Sequence, residues 1–315
     1  MQKEILIVGL NHRSAPIEVR ENVAFEASYL REALARLRAY PAIQEGVILS
    51  TCNRVEVVAA AADAPSASAE IKKFLDEQGA RRNAGQLDDH VYTHHGADAV
   101  RHVFRVAASL DSMVVGEPQI LGQLKDYYSA AQEAGTVGAI LHRLFHRAFS
   151  VAKRVRTETG IASRAVSVSS VAVDLARRIF DRFDDKTVML IGAGKMGGLM
   201  ARHLQSNGAR SLMVTNRTFD KAVELATLLH GTAVPFEDRW RHLAEADIVL
   251  ASTGCPQVIL TREDAVRMHR ERHGRPVFLI DIAVPRDIDP AVRDIPGIFL
   301  YDIDDLEQVV AHNLG

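Results

Sequence analysis

Apolar and polar positions follow two different rhythms along this chain. Ile5-Leu6-Ile7-Val8-Gly9 is a short continuous apolar run of the strand type, and residues 30–37 carry apolar side chains at helical spacing. Residues 46–51 and 55–60 read as two further strands. The small-residue stretch 59–69, with Asp63 and Pro65, reads as a loop. From Ala97 to about Thr159 the pattern is mainly helical. Strands followed by a run of helices predict an α+β first domain over residues 1–160.

The rhythm then changes. Residues 187–191, 211–215, 248–251 and 277–280 are short apolar runs separated by helical patterns. That alternation predicts a parallel sheet covered by helices on both faces, over residues 161–301. The junction is expected near Gly160, ahead of a helix starting around Ser167. A new helix carrying Leu306, Val309 and Val310 fills residues 302–315. The fold class is α/β, with an α+β domain ahead of a parallel-sheet domain, and no internal repeat is visible.

Totals change this picture little. A chain of 315 residues fits about two domains, and 47% hydrophobic with 25% charged residues is ordinary soluble composition. The net charge of -2 does not mark a nucleic-acid binder, so any RNA contact has to come from a local basic face. Cys52 and Cys255 have neither metal-type spacing nor a secretory context, which predicts a reduced, cytoplasmic setting. There is no signal-peptide pattern and no run near the ~18 apolar residues of a membrane span.

Candidate chemistry begins at Gly192-Ala193-Gly194-Lys195-Met196-Gly197, a G-x-G-x-x-G turn. The pattern alone is weak, but here it follows a strand and opens a helix, the context of a Rossmann-type dinucleotide site. The glycines permit the tight turn, the approach of a pyrophosphate and close helix packing, while the helix N-terminus supplies N–H groups. An NAD enzyme usually places a carboxylate at the end of the next strand. This chain has Thr215-Asn216-Arg217-Thr218 there, and Arg217 can pair with a 2′-phosphate. NADP(H) is therefore the expected cofactor, with Asp220 a helix-start residue. The competing reading of Arg217 is a solvated surface arginine.

In Ser50-Thr51-Cys52-Asn53-Arg54 a thiol lies at a strand end, where it can act as a nucleophile. On an extended chain Arg54 leaves on the same face, able to lower the thiol pKa or clamp a carboxylate. A buried, inert cysteine fits these residues equally well. Ser112, Glu117, Gln119 and Gln123 can read a small ligand with an ammonium and a carboxylate, or can serve only as caps and loop ties. His102 alone reads as a packed or surface histidine. His90, His94, His95 and His102 lack metal-ligand spacing, so no metal is expected. Residues 142–156 carry Arg143, Arg147, Lys153, Arg154 and Arg156 with no acidic residue, on a helix with an apolar stripe. That face is either simply solvated or a phosphate-backbone surface.

Taken in order, Gly9-Leu10-Asn11-His12, Ser50-Thr51-Cys52-Asn53-Arg54, the His102-Val103-Phe104-Arg105 to Gln123 block, the glycine turn and Asp281-Ile282-Ala283-Val284-Pro285-Arg286 resemble the bacterial glutamyl-tRNA reductase family. The resemblance implies NADPH-dependent reduction of glutamyl-tRNA to glutamate 1-semialdehyde through a thioester on Cys52. His102 matches the family histidine held important for activity. Thr51, Asn53, Arg54, Ser112, Glu117, Pro118, Gln119 and Gln123 match the glutamate-recognition positions, with Arg54 facing the substrate carboxylate and Glu117 its ammonium. It further implies a nucleic-acid substrate, glutamate-1-semialdehyde aminomutase as the partner receiving the aldehyde, and a homodimer. The family's dimerisation domain follows a long connecting helix of which only the start lies within the 315 residues. Two alternatives remain: an NADP oxidoreductase of the shikimate dehydrogenase type, which leaves Cys52 without a role, and a non-catalytic NADP- or RNA-binding protein.

Overall fold

A computed structural model describes residues 3–26, 28–81, 87–112, 119–159, 168–180 and 182–314. The chain divides into two compact units, Met1–Ala165 and Val166–Gly315. The expected junction at 160 falls among residues 160–167, outside the described residues.

The first unit runs β1 (Glu4–Asn11), α1 (Ile17–Val23), α2 (Leu30–Arg38), β2 (Glu45–Ser50), β3 (Arg54–Ala61), α3 (Ala64–Ala80), β4 (Tyr92–His95), α4 (Gly96–Ala107), α5 (Gln119–Glu133) and α6 (Ala139–Glu158). Its sheet has the order β2-β3-β1-β4 with antiparallel pairs. Every residue of β3 is buried, on both alternating sets. Both faces of the sheet are therefore covered, which is why this strand reads as a continuous apolar run. Arg54 and Glu56 are the charged exceptions inside it. Opposite Glu56 in the register stands Gly9, where a Cβ would lie 2.7 Å from the Glu56 Cα and 2.9 Å from its Cγ. Only glycine lets β1 close on Glu56 at this spacing.

One expectation fails in this unit. Residues 59–69 are not a loop: β3 continues to Ala61 and α3 begins at Ala64. Asp63 caps that helix by accepting the Ser66 N–H at 3.2 Å, and Pro65 occupies its first turn. Asp and Pro act here as helix-start residues, and the alanines that looked structureless are strong helix formers. Strand β4 was not anticipated either, being four residues long and half histidine.

The second unit runs α7 (Val168–Ile179), β5 (Thr187–Ile191), α8 (Lys195–Ser206), β6 (Ser211–Thr215), α9 (Phe219–Leu228), β7 (Thr232–Val234), α10 (Arg239–Glu245), β8 (Ile248–Ala251), α11 (Arg262–Glu271), β9 (Val277–Asp281), β10 (Ile298–Asp302) and α12 (Ile303–Leu314). All strand pairs are parallel, in the order β10-β9-β8-β5-β6-β7. This is a Rossmann-type sheet whose order reverses between β5 and β8, the crevice where such sheets bind ligands. The two outermost strands, β7 and β10, extend the four expected from the apolar runs.

Candidate active site

Strands β2 and β3 are joined by a tight reversal with Cys52 and Asn53 at its centre. The Thr51 N–H donates to the Arg54 carbonyl at 2.8 Å and closes the turn. The Asn53 N–H reaches the Thr51 hydroxyl at 3.3 Å, and the His12 N–H, just past β1, holds the Asn53 carbonyl at 2.9 Å. Arg20 of α1, fully buried, donates from Nη1 to the Cys52 carbonyl. Tyr127 of α5 donates its hydroxyl to the Ser50 carbonyl. The nucleophile candidate is thus carried on a backbone pinned from three neighbouring elements. Cys52 is half-buried and is not bridged to Cys255.

Because the chain reverses at Cys52, the expected sharing of one face by Cys52 and Arg54 does not apply. The residue that shares the face of Arg54 is Glu56. Arg54 is buried, and its Nη1 donates to Glu56 Oε1 at 2.7 Å. Nη2 donates to the Asp111 carbonyl, and Asp111 Oδ2 stands 3.4 Å from both Nη atoms. The same Glu56 oxygen accepts the Tyr92 hydroxyl and bonds His102 Nε2 at 2.8 Å. Burial alone would raise the Glu56 carboxyl, but the Arg54 charge and the His102 and Tyr92 hydrogen bonds outweigh it and hold it at about 2. An ionised carboxylate only accepts, so the bond to Glu56 uses a proton on His102 Nε2. Burial, and then the Glu56 charge, push the Tyr92 phenol well above its ordinary range.

The buried side-chain atoms His12 Nδ1, Arg54 Nε, Glu56 Oε2 and Ser112 Oγ of this cluster have no hydrogen-bond partner among the described residues. Burying polar atoms unpaired is costly, and such atoms gathered in one place are where water or a polar ligand completes the set. His12 is held neutral, lowered to about 4 by burial and then by the charges of Arg54, Arg13 and Arg20.

In the second unit the glycine turn has the geometry a dinucleotide needs. Gly192 adopts φ +100 and donates its N–H to the Thr215 carbonyl at 2.8 Å. Gly194 precedes α8 without any side-chain cap, leaving the helix N–H groups open. A Cβ at Gly197 would lie 2.7 Å from Leu190 Cδ1, so the third glycine lets α8 close on β5. Ala193 and Met196 are half-buried and Lys195 is exposed. Past β6, Asn216 Nδ2 donates to the Thr218 carbonyl at 2.9 Å, and Arg217 is exposed at the strand end.

Residues 8–159 match the N-terminal domain family of glutamyl-tRNAGlu reductase, and residues 174–309 match the shikimate/quinate 5-dehydrogenase family. The chain is 54% identical over 310 residues to the glutamyl-tRNA reductase of Trichlorobacter lovleyi, covering 98% of this chain and 71% of that one. It is 55% identical over 311 residues to the Geobacter sulfurreducens glutamyl-tRNA reductase, with the same coverage of 98% and 71%. The chain belongs to the glutamyl-tRNA reductase family. Among solved structures, the Methanopyrus kandleri glutamyl-tRNA reductase is similar at 37% identity and a TM-score of 0.49, covering 98% of this chain and 74% of that one. The shikimate dehydrogenase reading captured the fold of the second unit alone, since glutamyl-tRNA reductases match nearly the whole chain.

Of the residues that resemble the glutamate-recognition positions of glutamyl-tRNA reductases, Thr51, Asn53 and Arg54 form the turn and its base. Ser112 is buried beside Asp111, and Gln123 is half-buried on α5. Glu117 and Pro118 lie outside the described residues, as does the side chain of Gln119, the first residue of α5. Sequence reasoning missed Arg20, Glu56, Tyr92 and Asp111. Glu56 had a signal, a carboxylate inside an apolar strand, whereas Arg20 had none. Elsewhere, α6 buries Leu141, Leu144, Phe145, Ala148 and Ala152 and exposes His142, Arg143, His146, Arg147, Lys153 and Arg154. Among the described residues no group of three His, Cys, Asp or Glu could hold a metal, and no helix is long and apolar enough to cross a membrane.

Proposed function

We propose that this chain reduces glutamyl-tRNA to glutamate 1-semialdehyde, the first step of tetrapyrrole synthesis, through a thioester on Cys52 with NADPH as reductant. The sulfur attacks the ester carbonyl carbon. The C–S bond forms as the C–O bond to the terminal ribose breaks, and the thiol proton passes to the departing oxygen. When bound, NADPH supplies the hydride that takes the thioester carbon to the aldehyde level, the sulfur leaving as thiolate and recovering a proton.

The residues of this chain support each part of that sequence. The pinned turn fixes where the sulfur can be, which converts attack on a bound ester into a near-unimolecular step. Ser112 Oγ and Arg54 Nε are buried donors without partners among the described residues, suited to the polar ends of a glutamyl group. Both Nη atoms of Arg54 are engaged by Glu56 and Asp111, so a substrate carboxylate would meet its Nε edge. Thr51, Asn53, Glu117, Pro118, Gln119 and Gln123 complete the recognition set. His102 Nδ1 is the nitrogen available for proton transfer, because Nε2 is committed to Glu56. Gly192 to Gly197 would cradle the pyrophosphate, and Asn216 with Arg217 the 2′-phosphate of NADPH. The exposed basic face of α6 would meet the tRNA backbone.

The observation that carries this reading is the cluster of buried, unpartnered polar atoms around the Cys52 turn, in a chain more than half identical to glutamyl-tRNA reductases. It is tested by single turnover with glutamyl-tRNA bearing labelled glutamate. Label should remain on the protein without NADPH and leave as aldehyde with it. Cys52→Ser should take no label while still binding NADPH; aldehyde formed by that variant would sink the mechanism.

A further inference from the structure

Beside the Glu56 network lies a cavity of about 530 Å³ walled by Tyr92, His94 and His102, with Arg13, Arg101 and Arg105 around it and Asn11 on its rim. Its size is that of a small-molecule site. Three features of the wall define what would fit. Tyr92, His94 and His102 form a continuous aromatic surface, with ring centroids 5.2 Å apart for Tyr92 and His94 and 4.7 Å apart for His94 and His102. Arg13, Arg101 and Arg105 reach the mouth with 61%, 68% and 51% of their side chains exposed. The carboxylates facing them are already shared. Asp98 pairs with Arg101 at 2.6 Å, while Asp111 stands 3.3 Å from Arg13, 3.9 Å from Arg105 and 3.4 Å from buried Arg54.

With Arg101 paired to Asp98 and Arg54 to Glu56, Asp111 is the carboxylate left for both Arg13 and Arg105, which leaves positive charge for an anion, and an aromatic wall beside it offers a face for a base. The rim residue Asn11 precedes His12, whose N–H is bonded to the carbonyl next to Cys52. The cavity therefore opens along the strand end that presents the turn. We propose that it receives the 3′-terminal nucleotide of the aminoacylated tRNA, the base stacking on Tyr92 and His94 and the phosphodiester meeting Arg13, Arg101 and Arg105. This rests on the reading of glutamyl-tRNA as substrate, and it places the tRNA end on the α4 side of the site. His102 is common to the cavity and to the network, so the nucleotide and the reacting ester would share one wall. Recognition would be of a nucleotide as such, by stacking and charge, with the glutamyl group read on the other side of Arg54.

The test compares the wild-type protein with Arg101→Ala/Arg105→Ala and with Arg101→Glu, measuring thioester formation on Cys52 from glutamyl-tRNA and from glutamate α-ethyl ester. Losing two charge-assisted contacts should raise the half-saturating glutamyl-tRNA concentration about ten-fold or more, with a much smaller change for the ethyl ester. Adenosine 5′-monophosphate should compete with glutamyl-tRNA in the wild type and lose that effect in the variants. Equal losses on both esters, or unchanged saturation by glutamyl-tRNA with undiminished competition, would overturn the assignment. No thioester from either ester in the wild type would defeat the underlying reading, and the proposal with it.

Discussion

Glu56→Gln is the substitution that most directly tests the buried network. The group is fully buried, and its carboxyl is lowered from 4.5 to about 2 against the effect of burial. That drop corresponds to about 3 kcal/mol favouring the charged form in the folded state. Gln keeps the shape and an accepting carbonyl oxygen that can take the place of Oε1, but it removes the charge opposite buried Arg54 and puts an NH₂ where Oε2 has no partner among the described residues. Breaking a buried pair from one side costs roughly 3–5 kcal/mol, and Asp111 still opposes Arg54, so the lower end applies. With a urea slope of about 2 kcal/mol/M, the transition of the first unit should move down by about 1.5 M at pH 7. The pH dependence has a definite sign. A depressed carboxyl stabilises the fold above its unfolded value and loses that contribution as pH falls through the folded value. The wild-type unit should therefore lose stability between about pH 4.5 and pH 2, and the variant should lose less across that window. In single turnover, aldehyde formation should fall by about 100-fold, because an amide, unlike a carboxylate, can present either a donor or an acceptor to His102 and no longer dictates a proton on Nε2. A variant with wild-type urea midpoint and wild-type turnover would refute the claim that Glu56 organises Arg54 and His102.

Two further outcomes are expected in the second unit. Arg217→Asp should weaken NADPH binding by more than about ten-fold and NADH far less, measured by fluorescence titration; an unchanged preference removes Arg217 from the 2′-phosphate site. Burial raises the Asp287 carboxyl to about 6 despite hydrogen bonds from Thr253, so it favours the fold at low pH and that contribution fades as pH rises from about 4 to about 6. Asp287→Asn should flatten the fall in stability of this unit over that range, and an identical pH slope in thermal melts would remove Asp287 as its source.

Most of the architecture was legible because it rests on burial. The four inner parallel strands are covered on both faces and read as unbroken apolar runs, and the glycine turn could be trusted because it lies between such a strand and a helix. The misses have local causes. Residues 59–69 looked structureless because alanine, aspartate and proline are ambiguous until a cap is seen, and Asp63 with Ser66 supplies one. β4 is short and carries two histidines, so it has no periodicity to read, yet it delivers Tyr92 to Glu56. Within the site, Cys52, Asn53 and Arg54 were visible as a segment. Their partners come from α1, β4, α4 and the segment just after α4, and side-chain pairing across 30 to 60 residues leaves no mark in a single sequence.

The resemblance pointed to Arg54 as a ligand-facing cation, and the structure adds why it can act as one. An arginine buried on its own would bear a large desolvation penalty, and Glu56 and Asp111 offset it by taking both Nη atoms. That arrangement spends the two-pronged end of the guanidinium on the protein and leaves Nε without a partner among the described residues, where the proposed function puts the substrate carboxylate. The same carboxylate that neutralises Arg54 also fixes the tautomer of His102. In the proposed mechanism, charge placement for binding and proton placement for chemistry therefore depend on one residue, and Gly9 is the backbone condition for it, since any side chain there would displace Glu56. A site built this way cannot be tuned one group at a time. Substitutions at Gly9, Arg54, Glu56 or His102 should couple strongly in double-mutant cycles, whereas Arg217, in the other unit, should be additive with all of them.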